Sequence, residues 1–341
     1  MSQVQLTVDS GSPSRTVLRV ANLRVFFTKR YGILNRAQAT IRAVDDVSFE
    51  LGESEILSLV GESGSGKTTI ARCIMGLTTA TSGSIKYLDT EVTKLGGDAL
   101  KNYLKSVQMI FQDPFESLYP RFDVLSAVSV PIKQLTGEKN PTVIREAVSK
   151  LLVEVGLDPA ETLTKLPHQL SGGERQRIGI AKALASNPKV LIADEPITML
   201  DASLRLSILS LLMSLKTKRN LSVLLITHDL ASAKFMSDRT AVMYRGKLVE
   251  IGETMSLLTA PHHPYTELIL ESTPRLTKEK LPNPVEPTAE EGKDYGKGCV
   301  FQPRCKYATP NCIEVEPKLE AKSDFHWAAC YNPLNIGNRK P

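Results

Sequence analysis

The run Gly61-Glu62-Ser63-Gly64-Ser65-Gly66-Lys67-Thr68, followed by Thr69, fits the spacing G-x-x-x-x-G-K-[ST]. Glycines at these places let the backbone curl until several N–H groups point inward, which cradles phosphate oxygens. The positive end of a following helix adds to the attraction. Lys67 supplies a mobile cation, and the Thr68 hydroxyl suits Mg²⁺. With Gly at roughly 7% of residues, the four fixed positions match somewhere in such a chain by chance at about the 1% level. A plain glycine-rich turn is therefore a poor competitor. It is weakened further by the apolar run before the motif, residues 56–60, and the helical spacing after it, residues 70–77.

A second constellation is Val190-Leu191-Ile192-Ala193-Asp194-Glu195, an apolar strand ending in two carboxylates. Asp194 is suited to holding Mg²⁺, directly or through water, and Glu195 to polarising an attacking water. Alone this signal is weak, because apolar runs followed by acids often mark only a strand reaching the surface. The third is Leu170-Ser171-Gly172-Gly173-Glu174-Arg175-Gln176-Arg177. Ser171 is placed to cap a helix, and with Gly172 and Gly173 it presents free N–H groups to an anion. A second phosphate-type element in a chain with one phosphate loop needs a partner. That points to a dimer with ATP held between two subunits.

The elements that must position these groups can be read from apolar periodicity. Residues 17–25, 41–49 and 56–60 read as strands, the last a buried one that feeds directly into the phosphate loop. From about 113 to 187 the pattern is helical and predicts a helical subdomain. Apolar runs at 190–193, 221–227 and 240–244 then alternate with a helix at 204–218, which argues for an α/β fold with a mostly parallel sheet. After residue 270, Pro274, Pro282, Pro284 and Pro287 interrupt any helix, and Glu290, Glu291 and Lys293 are solvated, so that stretch reads as a linker. The composition, 42% hydrophobic and 23% charged, excludes a fibrous or disordered body. The net charge of only +5 gives no reason to expect nucleic acid as a partner. No apolar run reaches the ~18 residues of a membrane span, and the Ser-rich start, residues 1–15, lacks the pattern of a secretory signal. A cytosolic address is therefore expected, in which five cysteines are thiols or metal ligands sooner than disulfides.

The ordered motifs resemble those of the ABC ATPase family over roughly residues 16–272. The resemblance implies a P-loop NTPase of ABC type, with a mixed β-sheet core, an antiparallel β subdomain and a helical subdomain. It implies that Ser171, Gly172 and Gly173 contact the γ-phosphate bound to the opposite subunit. Gln112, in Ile110-Phe111-Gln112-Asp113-Pro114, matches the glutamine loop, which touches Mg²⁺ or the attacking water and communicates with the transmembrane partner. Asp201, after Leu200, matches the loop that crosses the dimer interface, and His228, in Ile226-Thr227-His228-Asp229, the switch histidine. Two departures stand out. Pro196-Ile197-Thr198-Met199-Leu200-Asp201 replaces the family's Pro-Thr-Ser-Ala-Leu-Asp, which puts cross-interface contacts in doubt while Glu195 is retained. Residues 30–42 resemble an insertion in the loop that carries the adenine-stacking aromatic, for which Tyr31 is the choice.

A closer resemblance is to the oligopeptide/dipeptide importer ATPases. It rests on His263-Pro264-Tyr265-Thr266, Leu268-Ile269-Leu270, Thr273-Pro274-Arg275 and Cys299-Val300-Phe301-Gln302-Pro303-Arg304-Cys305. It divides the chain into a nucleotide-binding domain, 1–272, and an extension, 273–341. Some members carry a [4Fe-4S] cluster on four C-terminal cysteines, and Cys299, Cys305, Cys312 and Cys330 match by position. By chemistry alone four thiolates suit either such a cluster or tetrahedral zinc, with His326 as a substitute ligand, although the C-x₂-C pairs of zinc ribbons are absent. Cys73, after the phosphate loop, reads as core. The resemblance further implies a related second ATPase chain, two permease chains and an external binding protein, with this chain peripheral on the cytoplasmic membrane face. Residues 115–122 would help receive a permease helix, and the cargo could be peptide, oligosaccharide or a metal complex. A non-transport ABC ATPase is the rival, weakened by the 59 positions between Gln112 and Ser171, too few for a coiled coil. A redox- or iron-sensing tail is a third possibility.

Overall fold

Every residue of Ile56–Val60, Val190–Asp194 and Ser222–Thr227 is buried, so these strands have both faces covered. That is the burial of a parallel sheet between helical layers, and it explains why the sequence shows continuous apolar runs there instead of alternation. The computed structural model describes residues 15–31, 37–113, 118–272 and 297–334, with the side chains of 29–31 and 37–39 left out. The expected linker, most of the N-terminal stretch and residues 114–117 lie outside the described residues.

In chain order the strands are β1 (Thr16–Tyr31), β2 (Ala37–Gly52), β3 (Ile56–Val60), β4 (Ser82–Tyr87), β5 (Thr90–Glu91), β6 (Val107–Ile110), β7 (Val190–Asp194), β8 (Ser222–Thr227), β9 (Arg239–Tyr244), β10 (Lys247–Glu253), β11 (Glu320–Ser323) and β12 (His326–Ala328). The longer helices are α1 (Lys67–Ile74), α2 (Gly97–Ser106), α3 (Val124–Pro131), α4 (Pro141–Glu154), α5 (Gly172–Leu184), α6 (Ala202–Arg219), α7 (Leu230–Met236) and α8 (Pro264–Ser272). One sheet has the order β2-β1-β4-β5 and is antiparallel. The other has the order β11-β12-β10-β9-β3-β8-β7-β6. Its half from β9 to β6 is parallel, and the strands from β9 outward to β11 pair antiparallel.

The expected mixed core and antiparallel subdomain are both present, with one adjustment. Of the stretch read as a loop insertion, residues 30–31 and 37–42 instead lengthen the β1–β2 ladder: Phe27 pairs with Ile41, Arg30 with Gln38 and Tyr31 with Ala37. Extending a ladder satisfies the added backbone groups, which an irregular loop would leave to water. Among the described residues of the helical region the first helix is α3, which Asp123 caps through the Ser126 N–H at 2.8 Å. Its core joins α3, α4 and α5 through Val128, Ile144, Val148, Leu152 and Ile178, all nearly or fully buried.

The extension does not stand apart from the cassette. Ile251 on β10 pairs with Trp327 on β12, and Gly252 with His326, so two C-terminal strands complete the main sheet. At this joint Glu250 is fully buried and accepts three hydrogen bonds. These come from the His262 N–H at 2.6 Å, the His263 N–H at 3.0 Å and the ring of His326 at 2.7 Å. Burial pushes the His263 ring down to about 4, so it stays neutral and its Nδ1 accepts the Tyr265 N–H at 3.1 Å.

Removing the Glu250 carboxyl strands three donors, two of them buried. We expect Glu250→Ala to cost about 3 kcal/mol or more, seen as an earlier urea midpoint followed by fluorescence of Trp327, the single tryptophan. An unchanged midpoint would deny Glu250 this role.

Candidate active site

β3 ends at Val60 and the chain turns at once through residues 61–66 into α1. The turn needs glycine at two points for different reasons. Gly66 has φ +102°, and a Cβ there would lie 2.2 Å from the Ala43 carbonyl oxygen; a Cβ on Gly61 would lie 2.2 Å from that of Met243. Lys67 folds back beneath this loop. Its Nζ donates to the carbonyls of Gly61 at 2.7 Å and Glu62 at 2.8 Å, and to the Ser65 hydroxyl at 3.1 Å. Burial lowers the Lys67 pKa, while Glu195, Asp194 and Glu62 oppose that shift and favour its charged form.

The other expected groups arrive from the ends of neighbouring parallel strands. β7 delivers Asp194, 2% exposed, whose Oδ1 accepts the Thr68 hydroxyl at 3.1 Å. Burial raises its pKa to about 6; the Thr68 bond resists the rise and the adjoining Glu195 adds to it. Thr68 and Asp194 together are the pair that could hold Mg²⁺. Glu195 follows at φ +44°, with its N–H donated to the Ile226 carbonyl on β8 at 2.9 Å. That backbone conformation is strained for a glutamate and turns the carboxylate out of the sheet. Its Oε2 accepts Gln112 Nε2 at 3.3 Å and the Thr198 hydroxyl at 2.9 Å, and lies 3.4 Å from Nδ1 of His228. Gln112 follows β6 and His228 follows β8, half-exposed.

One cavity is lined by residues 61–69 with Ala43, Gln112, Glu195, His228 and Ile269. The structure therefore brings together Gly61, Glu62, Ser63, Gly64, Ser65, Gly66, Lys67, Thr68, Thr69, Gln112, Glu195 and His228. It does not bring Ser171, Gly172, Gly173 or Asp201 into that lining. Ser171 caps α5 as expected, accepting the Glu174 N–H at 3.2 Å while Glu174 Oε2 accepts the Ser171 N–H at 2.7 Å. Asp201 caps α6 through the Leu204 N–H at 3.0 Å. These two helix starts sit side by side, since a Cβ on Gly173 would meet the Leu204 side chain at 3.1 Å. The Tyr31 side chain lies outside the described residues. Of the expected docking segment, Tyr119 and Phe122 are exposed and meet edge to face at 5.1 Å.

Three contributors escaped the sequence reading. Thr198 sits in the stretch that departs from the family pattern, and its position three residues after Glu195 in a turn was the available signal. Ala43 and Ile269 come from distant segments, and nothing local marks them.

Cys299, Cys305, Cys312 and Cys330 line one small cavity together with Phe301, Tyr307 and Tyr331. Burial raises the thiol pKa of Cys330 to about 11, helped by its three cysteine neighbours. No three His, Cys, Asp or Glu side chains among the described residues are grouped so as to hold a metal ion. The expected metal centre is thus not met as a ready-made coordination group. His326 takes no part, because its ring is committed to Glu250. Cys73 is core, 4% exposed.

Strand ends that carry a phosphate loop, a paired carboxylate and a switch-type histidine define an ABC-type P-loop ATPase. A solved dimeric ATP-binding cassette in a post-hydrolysis state, bound to ADP and Pi, superposes with a TM-score of 0.61 at 28% identity, covering 70% of this chain and 98% of that one. Residues 44–198 match the family model described as ABC transporter, and residues 249–312 that described as oligopeptide/dipeptide transporter, C-terminal region. The oligopeptide transport ATP-binding protein AppF of Bacillus subtilis is 38% identical over 94% of this chain and 99% of its own length. The protein OppF of the same description from Escherichia coli is 37% identical over 93% and 96%, and the dipeptide transport ATP-binding protein DppD of Escherichia coli 38% over 88% and 94%. The chain belongs to this family of oligopeptide/dipeptide transport ATP-binding proteins, and it is an ATPase. No helix among the described residues is long and apolar enough to cross a membrane.

Because the Thr198 hydroxyl is one of three groups holding Glu195, Thr198→Val should lower kcat roughly three- to tenfold with little change in KM. Steady-state ATPase assays read this; an unaltered kcat would leave Thr198 without an orienting role.

Proposed function

We propose that this chain energises an importer of oligopeptides, dipeptides or a related solute from the cytoplasmic face of the membrane, paired with a second, related ATPase chain. Two permease subunits and an external binding protein complete the assembly. The observation that carries this is the division of the site. The phosphate loop, Gln112, Glu195 and His228 share one cavity, whereas Ser171, Gly172, Gly173 and Asp201 sit at two helix starts outside its lining. Each surface is half of a site that a second cassette completes. The related chains that match along nearly the whole sequence are transport proteins, which disfavours a role outside transport.

In this scheme residues 61–69 bind the β- and γ-phosphates through backbone N–H groups, with Lys67 turning from its loop carbonyls to the ligand. Thr68 and Asp194, with Gln112, would hold Mg²⁺, which would neutralise phosphate charge. Glu195 accepts a proton from the attacking water, held for that task by Thr198 and Gln112. His228, half-exposed beside Glu195, reaches the γ-phosphate. Tyr31 stacks on adenine. Ser171, Gly172 and Gly173 offer the start of α5 to the γ-phosphate held by the partner chain, and Asp201 meets the same interface.

Glu195→Gln should abolish most turnover and trap ATP in a stable complex with the partner ATPase, visible by size-exclusion chromatography of the two co-expressed chains. Turnover at the wild-type rate in that site would remove Glu195 as the base, and a complex of this chain with itself alone would overturn the heteromeric assignment.

For the tail we propose a [4Fe-4S] cluster on Cys299, Cys305, Cys312 and Cys330. What supports it is their shared cavity with largely apolar walls and the absence of the C-x₂-C pairs of zinc ribbons from their spacing. Thiols with raised pKa values need a strong cationic centre to ionise. Anaerobically purified protein should be brown, with broad absorbance near ~400 nm that Cys312→Ser removes. A colourless preparation that holds zinc would refute the cluster.

A further inference from the structure

Arg304 belongs to the short helical turn Gln302–Arg304, between Cys299 and Cys305, yet its guanidinium reaches the phosphate loop. Nη1 donates to both carboxylate oxygens of Glu62 at 3.1 Å and to the Tyr244 hydroxyl at 3.3 Å. The guanidinium also lies over the rings of Tyr244 at 5.7 Å and Phe301 at 5.9 Å. These two rings pack against Tyr265, whose hydroxyl accepts the Glu62 N–H at 3.0 Å. Both the side chain and the backbone of Glu62 are therefore held by residues beyond β8. Arg304 is mostly buried, and its Nε–H is enclosed without a hydrogen-bond partner. A buried orphan donor is costly, so the guanidinium is not placed to satisfy its own turn.

A partly exposed ion pair contributes little to folding, but this one sits where charge matters for another reason. Glu62 is a carboxylate within a loop whose ligand is a polyanion, near enough to act electrostatically on Lys67. Left alone it would repel a triphosphate and compete for Lys67. We propose that Arg304 is a positioning residue for nucleotide: it neutralises Glu62 and fixes the entry to the phosphate loop, so the cysteine-bearing extension sets how tightly this chain holds ATP. The inference rests on assigning residues 61–69 to phosphate. Because Arg304 directly precedes Cys305, whatever fixes the cysteines also fixes the guanidinium.

The test is a double-mutant cycle on the full chain, reading binding of a fluorescent ATP analogue with Mg²⁺ alongside kcat and KM. Arg304→Gln should weaken binding roughly three- to tenfold and raise KM by a similar factor, with kcat within about twofold. Arg304→Lys restores the charge without the fork and recovers part of the loss. In a Glu62→Gln background Arg304→Gln should have little effect. Wild-type affinity in Arg304→Gln, or an equal loss in both backgrounds, would overturn the proposal. Should Arg304→Gln fail to fold, Glu62→Gln alone decides it: with no carboxylate left to neutralise, ATP binding holds at the wild-type level, and weaker binding refutes the idea. Lys67→Ala separates the phosphate assignment from the role of Arg304. If it still binds nucleotide, the phosphate assignment fails; if it does not and Arg304→Gln binds normally, only the role of Arg304 falls.

Discussion

The in-register parallel pairing of β3, β8, β7 and β6 is the constraint on which the rest of this structure depends. Val60 pairs with Thr227, Asp194 with Ile226 and Ile110 with Ala193, so four strands end at nearly the same level. The phosphate loop leaves the end of β3, His228 that of β8, Glu195 that of β7 and Gln112 that of β6. Parallel strands force this, because their carboxyl ends share one edge of the sheet and the returning helices keep the loops there. A slip of one residue in any pair would bring these strand ends out of level and part the groups they carry.

At that edge the carboxylate of Glu195 is where the segments meet. Its backbone is held at positive φ by a bond to β8, and its side chain gathers groups from β6, β8 and its own turn. Gln112 and His228 are far apart along the chain, so the geometry of this carboxylate derives from the sheet and not from any local motif. The strain at Glu195 is tolerated because it is fixed from several sides. By contrast, the starts of α5 and α6 are satisfied within themselves by caps and packed on one another, and they are not part of this cavity's lining. That arrangement suits a surface that works on a partner's nucleotide.

The C-terminal extension is bound to the cassette at two chemically different points. Glu250 is a buried hub that secures β12 and the turn before α8, and it acts on stability. Arg304 is a mostly buried charge that pairs with Glu62 on the glycine-rich loop. The apolar cluster of Tyr244, Tyr265 and Phe301 lies between the two and makes them one body. Through Arg304 the extension thus contacts the glycine-rich loop itself.

Much of the site could be read from sequence, because its elements are local and chemically demanding. Gly66 is required by a positive φ and a backbone contact, Ser171 and Glu174 cap a helix three residues apart, and buried parallel strands must be apolar throughout. The cysteine spacing likewise marked residues that do converge on one cavity. Tertiary structure decided the rest, for reasons of distance. Thr198 meets the Glu195 carboxylate only because the turn after β7 brings them together, and residues 30–31 and 37–42 became strand only because each had the other to pair with. His326 was drawn to Glu250, a carboxylate 76 positions away, and not to the cysteines nearer in sequence. Arg304 met Glu62 across 242 positions. A sequence states what each residue can bond; which partner lies within about 3 Å is fixed only when the sheet closes and the extension docks onto it.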